Sequence, residues 1–470
     1  MAKINAMMDI GKRSMMNSQT ALQTTAHNIA NKTTEGYSRQ RVDLVTAPPV
    51  NEGRYQIGMG SRAAGITRTN NPYLEKQIQR ETGQMGFFEG RSESLARVEQ
   101  VFNEQSNKGL NQYVTDFFNA FRELSNTPES VTTRTMVKET AEAMVNDFKR
   151  VKTQLTDVQK DADMQVRFHV EEINKMTREI GSLNEQIAQV EIQGTPANDQ
   201  RDRRDLLLKQ LNQKVDIKYA EGDQGMVTVS TAGNALLVSG IDHSDLSIAT
   251  NPDNGHTDIF YQTTSHTTPF KVSERIKGGS LGAILEVRDK TVEEYKANID
   301  TIAETLADEV NSAHMGGFDR YGNQGAEFFT FSESTEGGAT NLNVNSLITQ
   351  DVGRIAAGAR PNAPGDNTVA NVISMIQYKQ VLDDKSSTLD DFYNSQVGKI
   401  GVAAQRANKS RDSQASVLQQ LDTVRESVSG VSLDEEATKM IEFQKAFDAS
   451  ARVIRTADEM FDTVLNLKRL

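Results

Sequence analysis

Cysteine does not occur in this chain of 470 residues, and its absence removes disulfides, zinc–thiolate centres, iron–sulfur clusters and thiol nucleophiles together. Tryptophan is missing as well, and only 6 histidines are present. Long apolar runs are lacking: no stretch approaches the roughly 20 residues of a membrane-spanning helix. Near the N-terminus Lys3, Asp9, Lys12 and Arg13 interrupt the apolar positions, so the unbroken apolar segment of a cleaved secretory signal is not there. An excess of positive charge is absent too. Lysine and arginine number 52 against 64 aspartates and glutamates, a net charge of -12. Phosphate backbones and anionic lipid would repel such a chain, so neither nucleic-acid binding nor membrane insertion is expected. The length allows about two to four domains, each with ample core.

What is there is helical periodicity, clearest at the two ends. Met8, Met15, Leu22 and Ile29 fall seven apart on one seam, and Ile4, Gly11, Ser18 and Thr25 form a second seam of small residues. At the far end Leu433, Met440, Phe447, Ile454 and Phe461 repeat at the same spacing, with Phe443, Ser450, Ala457 and Val464 three residues behind. Such heptads predict coiled-coil-like helices, each a rod of about 45–55 Å at 1.5 Å per residue. A large side chain contributes about 1.5–3 kcal/mol only when buried, and isolated helices of this kind are marginal in water. The ends therefore need a partner: each other, or copies of themselves. Periodicity alone leaves open whether the stripes are seams between subunits or ordinary core faces.

Between the ends the pattern changes three times. Residues 31–71 are rich in Gly, Thr and Arg and contain Pro48-Pro49, which predicts an extended segment with short strands. From residue 72 to 193 helices return. Leu74, Ile78, Met85, Phe88, Leu95, Val98 and Phe102 mark one; Leu110, Val114, Phe117, Phe121 and Leu124 mark a shorter one. A long third helix carries Phe148, Leu155, Ala162, His169, Met176, Leu183 and Val190 at strict sevens. Around Val215 the sequence turns to β-branched alternation punctuated by glycine, as in Met226-Val227-Thr228-Val229-Ser230. Helix resumes at Leu281 and is expected to run to about Ala313, to give way to irregular structure over 318–367, and to continue from Val369 with a break near Gly430. The expected fold is mainly α with an inserted β domain. Long terminal helices pack with a helical bundle, and a strand-rich outer domain stands apart. The corresponding divisions are 1–71, 72–214, 215–280, 281–430 and 431–470.

No constellation of residues carries chemistry. His169 lies on an apolar stripe and reads as a core histidine, and His243, His256 and His266 lack the short paired spacing of metal ligands. His314, near a helix end, is expected to meet exposed carbonyls. Gly58-Met59-Gly60 with Gly65 fails the spacing of a phosphate loop and reads as a turn between strands. No catalytic residue, metal site or cofactor is expected. Residues 1–71 carry nine basic side chains against four acidic ones, a charge open to nucleic acid or to an acidic neighbouring protein.

The run Ala26-His27-Asn28-Ile29-Ala30-Asn31-Lys32-Thr33-Thr34-Glu35-Gly36-Tyr37-Ser38-Arg39-Gln40 resembles the N-terminal signature of the axial proteins of the bacterial flagellum, the rod, hook and hook-associated proteins. Ser432-Leu433-Asp434-Glu435-Glu436-Ala437, Gln444-Lys445-Ala446-Phe447 and Thr456-Ala457-Asp458-Glu459-Met460 resemble the matching C-terminal signature. In the middle, Phe117-Phe118-Asn119-Ala120, Asn198-Asp199 with Arg204-Asp205-Leu206-Leu207, Gly279-Ser280-Leu281-Gly282 with Arg288-Asp289, and Gly365-Asp366-Asn367 resemble the hook-associated branch. The resemblance covers nearly the whole chain and is weakest over the strand-rich insert. It implies a structural subunit of a homo-oligomeric ring between hook and filament, outside the cell, exported without a cleaved signal by the flagellar type III apparatus. The implied partners are copies of itself, the hook protein, a second junction protein or flagellin, and an export chaperone. The implied assembly interface comprises Ile4, Met8, Met15, Leu22, Asn28, Ile29, Asn31, Gly36 and Tyr37 with Met440, Phe443, Phe447, Ile454, Ala457, Phe461 and Val464. Other readings are a hook or distal rod subunit, against which the helical motifs of 117–207 argue, a cytoplasmic coiled-coil scaffold, and a hydrolase within the insert, where no carboxylates pair into a site.

Overall fold

The computed structural model describes residues 2–52, 55–102, 109–231, 233, 235–262, 269–332 and 337–467. Helix α1 (Ala2–Ala30) is followed by strands β1 (Gln40–Thr46), β2 (Val50–Glu52), β3 (Tyr55–Ile57) and β4 (Ser61–Arg68). β1 pairs antiparallel with β4, Gln40 facing Arg68 and Thr46 facing Ser61, and β2 pairs with β3. The glycine pair at 58–60 is the connection between β3 and β4.

The helices of the middle start where the sequence supplies caps. Asn71 accepts hydrogen bonds from the backbone N–H groups of Tyr73 and Leu74, and Pro72 opens α2 (Pro72–Val101). After α3 (Leu110–Asn126), Ser130 caps α4 (Val131–Glu191). The apolar stripe of α4 is fully buried at Phe148 and Leu155. Further along, Ala162, His169 and Met176 are only half-buried, and the inward positions become Val166, Val170, Ile173 and Ile180. A helix of 3.6 residues per turn drifts away from a strict sevenfold repeat. Helix α5 (Asn198–Lys214) leads into the insert: β5 (Ile217–Glu221), β6 (Val227–Thr231), β7 (Ala235–Ser239) and β8 (Asp242–His243) form one antiparallel sheet. A second sheet has the order β11-β10-β9, from β9 (Leu246–Thr250), β10 (Thr257–Tyr261) and β11 (Phe270–Lys271).

The chain leaves the insert through α6 (Gly279–Glu286), a π-helical turn (Val287–Val292) and α7 (Glu293–Met315). Residues 318–367, expected to be irregular, hold short elements: β12 (Phe329–Phe331), α8 (Gly338–Asn341), β13 (Leu342–Val344) and α9 (Ser346–Gln350). The expected unbroken helix from Val369 to Gly430 is corrected. α10 (Thr368–Met375) ends in a 3-10 turn, and helix does not resume until α11 (Leu389–Ser429). Asp383, Asp384 and Lys385 take left-handed backbone conformations between them, and the Thr388 hydroxyl caps the N–H of Asp391. Asp, Ser and Thr offer the backbone hydrogen bonds that compete with helix, which is why Asp383-Asp384-Lys385-Ser386-Ser387-Thr388 interrupts it. The break near Gly430 separates α11 from α12 (Leu433–Leu467).

Two cores result, and α4 runs through both. The first joins α3, the start of α4, α7, α10 and α11 around Phe117, whose ring meets those of Phe118, Phe121, Phe328 and Phe329 at 5.2 to 5.8 Å, at largely edge-to-face or tilted angles. The second packs the strands of the insert on the far half of α4, on α5 and on α6. Where the chain passes from α5 into the insert it presses on α2. A Cβ on Gly86 would stand 2.0 Å from the carbonyl oxygen of Gln213.

Candidate assembly interface

Helices α1 and α12 lie against each other in opposite directions. Asn28 Nδ2 donates to Glu436 Oε2 at 2.9 Å, and Ser450 Oγ donates to Ser14 Oγ at 2.7 Å. These contacts are fourteen residues apart on each helix, so the register is held along the pair. The small seam closes it. Ile4, Gly11, Ser18, Thr25, Ser450 and Ala457 are buried, and a Cβ on Gly11 would reach to 2.7 Å from Ile454 Cγ1. Strand β4 braces α1 from the side: Asn17 Nδ2 donates to the Ser61 carbonyl, and the Ala63 N–H donates to Asn17 Oδ1.

The larger seam has a different fate. Met8, Met15, Leu22, Ile29, Met440, Phe443, Phe447, Ile454 and Phe461 are half-buried, and Val464 is exposed. Met16, Leu433, Ile441 and Met460 are exposed too, between 43% and 59%. The pair thus buries its small residues and keeps a band of large apolar ones in reach of solvent. A band of that kind is the usual mark of a surface for another protein.

At its base the pair is locked to the bundle by the signature loop. Asn28, 1% exposed, has every polar atom satisfied. Its Nδ2 donates to the Gln40 carbonyl and to Glu436, while its Oδ1 accepts from the Tyr37 hydroxyl at 2.7 Å and from the Gln40 N–H at 2.9 Å. Burial, followed by Asp199, Asp202 and Glu436, pushes the Tyr37 hydroxyl well above its ordinary pKa, so it stays a donor. Asn31 Nδ2 donates to the His27 carbonyl and its Oδ1 accepts from Thr34, which closes the end of α1. Gly36 has φ +80°, a conformation that costs glycine nothing, and abuts Leu206. Ser38 N–H and Arg68 then reach Asp202, with Arg68 also bonded to Asp205. Burial pushes the Asp202 carboxyl up while Arg68 pulls the other way. Arg39 donates through its N–H to the Ser429 carbonyl and through its guanidinium to Glu435, joining the loop to both α11 and α12.

Sequence reasoning places Asn28, Asn31, Gly36 and Tyr37 at the interface; Gln40, Asp199 and Glu436 stand in the signatures without that role, and Arg68 and Asp202, which extend the network through Ser38, are not named there. The acidic opening of α12 was the available signal, since Glu436 sits in its first turn. Beside the loop lies a cleft of about 960 Å³. Many of its charges are paired: Arg68 with Asp202 and Asp205, Arg201 with Glu221 and with Glu191 behind it, Arg425 with Glu75.

The histidines are placed as follows. His169 is partly exposed, with Nδ1 3.5 Å from Glu172, and burial followed by Lys214 pushes its pKa down. His243 is exposed on β8, and His266 lies outside the described residues. His314 does meet a carbonyl in a structural role, but it is fully buried and the carbonyl belongs to a returning loop and not to the exposed end of α7. Its Nδ1 meets the Ala326 carbonyl and its Nε2 accepts from the Ala356 N–H, so it ties two loops that return past α7. Among the described residues, no group of three or more His, Asp or Glu could hold a metal ion, and no helix is long and apolar enough to cross a membrane.

Residues 95–329, half of the chain, match the family model of the flagellar hook-associated protein FlgK helical domain. The chain belongs to that family. Residues 425–467, which include α12, match the model of the flagellar basal body rod FlgEFG protein C-terminal region. Flagellar hook-associated protein 1 of Bacillus subtilis (strain 168) is 29% identical, with 98% of this chain and 97% of that protein covered. Its namesake in Escherichia coli (strain K12) is 24% identical over 96% of this chain and 97% of its own length. The solved structure of the flagellar hook junction protein FlgK from Burkholderia pseudomallei has the same fold, with a TM-score of 0.69, 15% identity and coverage of 75% of this chain and 100% of that one. As a FlgK-family member the chain is a structural, hook-associated subunit of the bacterial flagellum.

Proposed function

We propose that the chain, a structural subunit of the junction between hook and filament, assembles there by docking the large apolar band of its α1–α12 pair against copies of itself and against the neighbouring axial proteins. The observation that carries this is the division of labour between the seams. The small residues Gly11, Ser18, Thr25, Ser450 and Ala457, with Ile4 at one end, close the pair, while Ile441, Met460 and Val464 stay uncovered. Copies arranged head to tail would bury that band and close a ring. The remaining partners in this reading are the hook protein on one side and a second junction protein or flagellin on the other. Before assembly, an export chaperone and the type III apparatus would handle the same exposed face. The role is mechanical, without a catalytic step, and its place is outside the cell.

The test is Ile441→Asp combined with Val464→Asp, expressed in a strain lacking the native protein. Both side chains are exposed, so the folded monomer should keep its helical circular dichroism and its melting temperature. The expected outcome is loss of filaments, with flagellin and the variant shed into the medium. Normal filaments would refute the docking; a wild-type chain retained inside the cell would favour a cytoplasmic scaffold.

A further inference from the structure

The tip of the β9–β10 hairpin is tied to the helical bundle by a chain of charges that the assembly role does not use. Arg288, on the π turn, is 2% exposed. Its Nη1 donates to Asp163 Oδ1 of α4 at 2.6 Å and to the Thr257 carbonyl of β10 at 2.8 Å, and its Nε donates to Asp289. Asp163 Oδ1 also accepts from the Thr257 N–H. His256 completes the circuit: Nδ1 lies 3.5 Å from Asp163 Oδ2 and Nε2 lies 3.7 Å from Glu293 Oε1 of α7, with its side chain 12% exposed. Gln159 of α4 donates to Glu293 and to the Arg288 carbonyl, and Lys296 pairs with Glu293. The hairpin closes on itself through Asn251, whose N–H donates to the His256 carbonyl.

The charges around His256 can be counted from each element. α4 contributes Asp163, the π turn Arg288 and Asp289, and α7 Glu293 and Lys296. Asp258 and Lys271 pair with each other on β10 and β11, and Arg167 of α4 reaches Thr250. With His256 protonated, three cations face three carboxylates. Without that proton two cations face three carboxylates, and Asp163 and Glu293 keep only Arg288 and Lys296 as charged partners, a less favourable balance in a half-buried site.

We propose that His256, Asp163, Arg288 and Glu293 form a proton-dependent latch that holds the tip of the β9–β10 hairpin, residues 251–256, against α4 and the π turn, and that loss of the His256 proton frees the tip while strands β9 and β10 stay in the second core. The nearby carboxylates of Asp163 and then Glu293 raise the His256 pKa from 6.5 to about 9. A histidine held in this way gives its full contribution below pH 6.5 and loses it as pH rises through about 9. Its partner Glu293 is held down to about 2, first by His256, so the carboxylate side of the latch is intact wherever the protein is near neutral pH.

The chain has no cysteine, so a pair of spin labels can be placed on one full-length molecule through Asp253→Cys in the hairpin tip and Glu171→Cys on α4. Pulsed electron resonance should give one narrow distance near neutral pH and lose it to a broad distribution above the His256 transition. His256→Gln should be broad at both pH values. His256→Arg, permanently charged, should stay narrow at both. The latch is overturned by a wild-type distance that ignores pH, by a narrow distance in His256→Gln, or by a His256→Arg protein that still responds. Loss of helical circular dichroism in step with the broadening would also overturn it, because the cores would then be unfolding as well.

Discussion

Replacing Asn28 tests whether the signature loop holds the base of the terminal pair as its geometry implies. Asn28→Ala removes all four hydrogen bonds of that side chain at once. The Gln40 N–H, the Tyr37 hydroxyl and the Glu436 carboxylate, itself 1% exposed, are left short of a partner. An orphaned buried polar group costs about 1–3 kcal/mol, and some water will enter, so a loss of about 4 kcal/mol is expected. Since about 1.4 kcal/mol is tenfold in an equilibrium constant, local opening should rise on the order of a thousandfold. Hydrogen exchange followed by mass spectrometry should show residues 28–40 and 433–440 approaching unprotected rates while α3 and α4 are unchanged. Asn28→Asp separates charge from shape. Its oxygens still accept from Tyr37 and Gln40, but a second carboxylate now faces Glu436 across the 2.9 Å contact. Such a pair cannot both ionise cheaply, so one folded-state pKa rises above its unfolded value. The damage is present at neutral pH and is relieved as pH falls through that raised pKa. Asn28→Ala should show no comparable relief. An Asn28→Asp protein as protected as wild type near neutral pH, or equally damaged in mild acid, would refute the reasoning.

Two further predictions concern the bundle. Gly86→Ala would drive a Cβ to 2.0 Å from the Gln213 carbonyl, backbone that cannot step aside, so α2 and the entry to the insert must separate; a loss of about 2–4 kcal/mol is expected in denaturant titration, and a wild-type midpoint would contradict the packing. His314 is held neutral, its pKa lowered from 6.5 to about 4 by burial; a depressed histidine leaves stability intact above its unfolded value and removes it as pH falls from 6.5 towards 4, by up to about 3 kcal/mol. His314→Gln should flatten that part of the pH–stability curve even if the variant is less stable overall, and an unchanged slope would refute the assignment.

Much of this molecule was legible because apolar spacing survives into structure. The sevenfold stripes at 8–29 and 433–464 are helices α1 and α12, and the switch to alternation after Val215 is the strand-rich insert. What could not be read were choices between partners far apart in sequence. Nothing in the pattern says that the small seam with Gly11 and Ala457, rather than the seam with Met15 and Phe447, closes the terminal pair; close backbone approach decided it. Asn28 and Glu436 are linked only once the chain has folded back. The turn at 383–387 was missed because its signal is capping chemistry rather than periodicity. The π turn at 287–292 falls inside an expected helix, where apolar spacing does not mark it, and the partners of its Arg288, Asp163 and Thr257, are distant in sequence.

The most direct measurement is hydrogen exchange across α1 and α12 in the purified monomer and again in intact flagella. Beyond the Asn28 anchor the pair buries few large side chains, Ile4 chief among them, whereas α4 buries Phe148, Leu155, Val166, Ile173 and Ile180. Residues 4–20 and 445–465 should therefore exchange far faster than α4 in the monomer and become protected on assembly. Protection equal to that of α4 in the free chain, or no gain in the flagellum, would contradict docking of the terminal pair as the means of assembly.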